Sequence, residues 1–179
     1  MKRGKLLLWK VLATWVLFLL LHFSYERFPN ILFKIIGEEG ETSYFHMKML
    51  FFAYLFTTIV EYFLRRKELV NLISFVYSRM LVAIVFPWLT IILWFSAQAL
   101  GIEILPIIPW EIIYANIITF IGVYFAIRAD EAFESIEYRP SFRNLITLFF
   151  ATTLLGYVSF SFNTPEHFFS TPDESAHGH

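Results

Sequence analysis

The chain has 179 residues, of which 58% are hydrophobic, 20% aromatic and only 16% charged. A soluble domain averages roughly 45–50% apolar and about 25% charged residues, so the excess points to lipid as the natural solvent. A net charge of −1 argues against a nucleic-acid partner, which needs clustered Lys and Arg to neutralise phosphates. The lack of cysteine removes disulfides, thiolate catalysis, Fe–S ligation and Cys-type zinc sites.

Lys2, Arg3 and Lys5 precede an apolar run, Leu6–Phe23. That run is too long for a signal-peptide core and has no small-x-small cleavage site after it, so it is expected to stay as a first span. Met47–Leu64, Leu81–Leu100, Trp110–Ile127 and Leu145–Phe160 are also close to the length of a bilayer crossing, about 20 residues. Hydrocarbon offers no water to backbone groups, so each is expected to be helical. The predicted fold is all-α: one membrane domain over residues 1–179, with spans 6–23, 47–64, 81–100, 110–127 and 145–160, an outer loop 24–43 and an outer tail 161–179. Pro87 predicts a kink in the third span. The mixed stretch Lys67–Ser78 before it is expected along the interface.

Orientation follows from the cations. With the N-terminus inside, the cytoplasmic side holds Lys2, Arg3, Lys5, Arg65, Arg66, Lys67, Arg79, Arg128, Arg139 and Arg143, against Arg27, Lys34 and Lys48 outside. Lys10, within the first span, is expected to snorkel to the inner surface. The C-terminus then lies outside, in a multi-pass plasma-membrane protein. All the histidines (His22, His46, His167, His177, His179) share the outer face with Glu26, Glu38, Glu39, Glu41, Glu103 and Glu166. The inner acids Asp130, Glu131, Glu134 and Glu137 interleave with arginines and suggest a solvated loop.

Loop 24–43 exceeds the usual helix–helix connection of about 2–8 residues. Its Ile31-Leu32-Phe33-Lys34-Ile35-Ile36 stretch is apolar enough to lie among headgroups or dip back toward the bundle. Gly37 and Gly40 bracket Glu38-Glu39 and permit a tight turn. On the second span, His46, Leu50, Ala53, Thr57 and Glu61 share one face, expected inward, while Phe52, Leu55, Ile59 and Phe63 are expected toward lipid. Small or polar stripes at Ala115, Gly122 and Ala126, and at Thr152, Gly156, Ser159 and Asn163, suggest close helix packing. Glu61 is an ionisable residue within a span, one turn from Arg65 and level with Arg79. A structural ion pair among these residues is the expectation, with proton handling as the alternative.

The densest chemistry lies in Gly40-Glu41-Thr42-Ser43-Tyr44-Phe45-His46-Met47-Lys48. Thr42 or Ser43 can cap the second helix, which places Glu41 at the positive end of its dipole. An imidazole beside a carboxylate can bind a divalent metal or act as a general base. Lys48 projects about 160° away from His46 around a helix, which suits an anchor for an anionic ligand or lipid headgroup, or an ion-pair partner for an acid. Polar residues at a helix end also simply meet water and headgroups.

This stretch resembles a family of small polytopic prokaryotic membrane proteins of unknown function, whose members carry N-E-S-x-W-E-H-x-K. The family's L-H-F-x-Y-E is similar to Leu21-His22-Phe23-Ser24-Tyr25-Glu26, and its I-E-Y to Val60-Glu61-Tyr62. Its F-x-x-P-P-H-x-x-x-F resembles Phe162-Asn163-Thr164-Pro165-Glu166-His167-Phe168-Phe169. Here Gly40 replaces the family's Asn, Tyr44 its Trp and Phe45 its second acid. The resemblance implies no activity, but it selects His22, Tyr25, Glu26, Glu41, His46, Lys48 and His167.

The functional expectation is a polar site at the extracytoplasmic face. Its metal ligands would be His22, His46, His167 and Glu41, holding a divalent ion such as zinc, with Glu41, His46 and Lys48 as catalytic candidates. Partners would be the bilayer and an anionic lipid or small ligand, with a partner subunit or a second copy as a further option. A structural or accessory subunit is the competing reading. A small transporter using Glu61 is the third, against which five spans cannot divide into equal halves.

Overall fold

The computed structural model describes residues 3–37, 42–100 and 108–163. Every regular element among them is a helix: α1 (Arg3–His22), α2 (Ser24–Arg27), α3 (Ile31–Ile36), α4 (Ser43–Arg65), α5 (Leu72–Ala99), α6 (Ile108–Phe133) and α7 (Pro140–Phe160). Among the described residues, three helical stretches are long and apolar enough to cross a membrane, Ser43–Arg65, Leu72–Ser96 and Ile112–Phe133, while the apolar part of α1 is shorter, Leu7–His22. Polar residues dilute α7, among them Arg143, Asn144, Thr147, Thr152 and Thr153.

Local chemistry accounts for the helix starts. Thr42 is extended and its hydroxyl accepts the Phe45 N–H, so α4 begins at Ser43, before its apolar run. Asn30 Oδ1 accepts the N–H groups of Leu32 and Phe33 and starts α3. Thus α2 and α3 lie within the described part of loop 24–43. Gly37, at the end of α3, is needed for space: a Cβ there would lie 2.2 Å from Ser24 Oγ and 3.0 Å from the Leu21 carbonyl. That close approach folds the loop back onto the end of α1. Pro140 opens α7 at a position that needs no N–H.

One expectation about α5 changes. Residues 72–78 are not a surface segment but its first turns, because Asn71 Oδ1 accepts the Ser74 N–H and Ser74 Oγ donates to the Ile136 carbonyl. Pro87 lies inside this helix, which is assigned as one element.

The core forms around α4, which packs on α1 and α5, with α6 against α1 and α5 and α7 against α5. The inward face of α4 contains Leu50, Ala53, Thr57 and Glu61, all buried, while Ile59 and Phe63 are exposed. Phe52, expected toward lipid, is buried instead and stacks on Phe56. On α6, Gly122 and Ala126 are buried, and an added Cβ at Gly122 would meet Thr90 Oγ1 of α5 at 2.4 Å. The small stripe of α7 turns the other way. Thr152, Ser159 and Asn163 are exposed, and a Cβ at Gly156 would touch nothing within 4 Å. Large residues dock α7 instead: Tyr157 and Phe150 pack against Phe51 of α4.

Candidate functional site

Polar side chains gather at both ends of α4. At its start, His46 meets His22 from the end of α1, with ring centroids 5.5 Å apart. Phe18 lies 6.2 Å from His46 and 6.3 Å from His22, and Phe23 lies 4.9 Å from His22. His46 Nδ1 is 2.9 Å from the Thr42 carbonyl. A carbonyl can only accept, so Nδ1 carries the proton and, in the neutral ring, Nε2 carries the lone pair. The helix start that caps α4 therefore also orients the imidazole. Among the described residues no three His, Cys, Asp or Glu side chains stand close enough to hold a metal ion together. Glu41 and His167, the other expected ligands, lie outside the described residues, as do Glu38, Glu39, Gly40, Glu103, Glu166, His177 and His179. Glu26 is exposed and Tyr25 half-buried.

Lys48 projects into the protein, not toward the surface. It is fully buried and donates to the Lys34 carbonyl at 2.8 Å and to Ser161 Oγ at 3.0 Å, with its ammonium 4.6 Å from the centre of the Phe45 ring. One turn earlier, the Tyr44 hydroxyl donates to the Tyr157 carbonyl at 2.6 Å. These contacts tie α3 and the end of α7 to the start of α4.

At the other end of α4, six side chains close a ring of alternating charge. Lys10 Nζ lies 2.6 Å from Glu61, Glu61 lies 2.6 Å from Arg65, and Arg65 lies 2.7 Å from Glu134. Glu134 then lies 2.6 Å from Arg79, Arg79 lies 3.7 Å from Asp130, and Asp130 pairs back to Lys10. A cross-link runs through the middle, Arg79 to Glu61 at 2.7 Å. The Tyr54 hydroxyl donates to Asp130 Oδ2 at 2.8 Å, and Arg79 also donates to the Asp130 carbonyl at 3.2 Å. The side chains of Lys10, Glu61, Arg79 and Asp130 are only 1–2% exposed, against 20% for Arg65 and 23% for Glu134. Lys10, Arg65 and Arg79 balance Glu61, Asp130 and Glu134, so the ring is neutral.

Two sequence expectations are corrected here. Lys10 does not snorkel to the surface, because two carboxylates neutralise it in place. Asp130 belongs to α6 and not to a solvated loop, and Glu134, in the turn after α6, is only partly exposed. Both acids follow the apolar run of α6, and their i, i+4 spacing aims them at one face. The missed signal was Lys10 itself, since a lysine well inside an apolar helix demands an acid from elsewhere in the chain.

One turn beyond the ring, Thr14 and Thr57 share a hydrogen bond of 2.8 Å. Past that layer, Phe18, Leu50 and Ala53 are buried and apolar. His46 and Glu61 are fifteen residues apart on one helix, about 22 Å along its axis. The histidine pair and the ring are therefore separate sites. Comparisons with protein-family models, with curated proteins and with solved structures find no match to this chain.

Proposed function

We propose that the chain is a multi-pass membrane protein of five spans, N-terminus cytoplasmic, that holds a small ligand at its extracytoplasmic rim. The observation that carries this reading is the meeting of His22 and His46, brought from separate helices to 5.5 Å. The positive-inside distribution of Lys and Arg supports the orientation, and α1 and α7 supply the two spans beyond the three strongly apolar stretches. The likeness to the N-E-S-x-W-E-H-x-K family supports the choice of His22, His46, Glu41 and His167 as the residues concerned. The charge ring acts as the bolt that keeps the rim in shape. It is closed and neutral, and an apolar layer separates it from the histidines, which speaks against a proton path from Glu61 to the rim.

The absence of cysteine makes a clean test available. Single His22→Cys and His46→Cys proteins are treated in intact cells with a membrane-impermeant maleimide, and the double variant is oxidised. Labelling from outside and an intramolecular cross-link are expected. Labelling from the cytoplasmic side only, or no cross-link, overturns the reading.

The accessory-subunit reading is favoured by one observation, the use of Lys48 to join α3, α4 and α7. On that reading His46→Ala lowers the melting temperature and leaves ligand binding unchanged.

A further inference from the structure

We infer that the His22–His46 pair is a binding site for a borderline transition-metal dication of the zinc type. The inference rests on the rim-site reading and names its ligand. Three observations on the pair converge. The first is spacing: an ion held about 2.0–2.1 Å from one nitrogen of each ring in a tetrahedral arrangement sets the ring centres roughly 5 Å apart. His22 and His46 stand at 5.5 Å, with ring planes inclined by 41°. The second is orientation. Metal-bound imidazoles characteristically donate their other N–H to a carbonyl or carboxylate, which fixes the tautomer and the ring direction. His46 makes that bond through Nδ1 to the Thr42 carbonyl, which leaves Nε2 as the nitrogen able to take an ion. The third is surroundings: Phe18, itself buried, contacts both rings, while the exposed Phe23 borders His22 alone. The apolar wall formed by Phe18 limits solvent access on that side.

Imidazole selects Zn, Cu and Ni over Mg and Ca, which prefer oxygen. Two rings fill half of a tetrahedral set. The other positions of the ion would be taken by water or by further ligands. Lys48 does not contribute, because its ammonium is buried against the Lys34 carbonyl and Ser161.

The test is calorimetric titration of the purified full-length chain in detergent with Zn²⁺, with Mg²⁺ as the hard-ion control. One Zn²⁺ per chain is expected, with affinity reduced roughly tenfold or more in both His22→Ala and His46→Ala, and no comparable Mg²⁺ binding. His22→Gln and His46→Gln replace an alanine variant that does not fold, and Zn²⁺ should raise the melting temperature of the wild type alone. No Zn²⁺ binding, equal binding in both variants, or Mg²⁺ binding of similar strength overturns the metal assignment. The cysteine cross-link keeps the two proposals apart. A cross-link without Zn²⁺ binding refutes the metal and leaves the rim site, whereas no cross-link refutes both.

Discussion

Replacing Glu61 by Gln keeps the volume and removes one charge. Glu61 faces Lys10, Arg65 and Arg79, so the variant leaves these three cations opposite only Asp130 and Glu134. Lys10, Arg79 and Asp130 have at most 2% of their side chains exposed, so water cannot dissipate the surplus. Removing one partner from a buried pair costs about 3–5 kcal/mol, because the desolvated partner stays behind. Lys10→Met should cost a similar amount, with the opposite surplus. The double variant restores balance, with Arg65 and Arg79 facing Asp130 and Glu134. Its destabilisation should fall short of the sum of the singles by about 1–3 kcal/mol, the coupling typical of residues in one network. Reversible unfolding in mixed micelles, followed by circular dichroism, measures all four proteins. A Glu61→Gln cost below about 1 kcal/mol, or additivity within about 0.5 kcal/mol, would refute the closed neutral ring as the bundle's main fastening.

Two helical glycines should behave differently. Gly122→Ala drives a methyl into Thr90 Oγ1 and should cost about 1–3 kcal/mol, with recovery in Gly122→Ala/Thr90→Ala. Gly156→Ala meets nothing and should be neutral or stabilising by up to about 1 kcal/mol; equal effects in the same unfolding assay would contradict this packing. The acid limit of stability should involve Glu134. Burial alone raises its carboxyl, but hydrogen bonds from Arg65 and the charge of Arg79 outweigh that and hold it below its ordinary value of 4.5. A carboxyl depressed in the folded state stabilises fully above the unfolded value and loses that contribution as pH falls through the folded one. The melting temperature should therefore drop on acidification below about pH 4, and Glu134→Gln should be less stable at pH 7 but flatter toward acid. Parallel wild-type and variant curves between pH 7 and 3 would exclude the pair from that role.

Much of the local architecture was legible in the residues. Apolar runs located the helices, since a chain in hydrocarbon must satisfy its backbone internally. Thr42 or Ser43 marked the start of α4, with Thr42 the cap in the structure, and the inward face through Leu50, Ala53, Thr57 and Glu61 followed from helical period. Inference from α7 failed because small residues show where a close approach is possible, not where a neighbour stands. Thr152 and Gly156 face outward while Phe150 and Tyr157 dock the helix.

By itself, then, the sequence determined the five long helices and their order, because composition and periodicity act through the backbone and the nearest turn. The partners of its charges were decided only in the tertiary structure. Lys10 and Asp130 are 120 residues apart, and nothing local to either says that they meet. A buried charge is tolerated only when packing delivers its counter-ion, and the histidine pair likewise exists only because α1 ends where α4 begins.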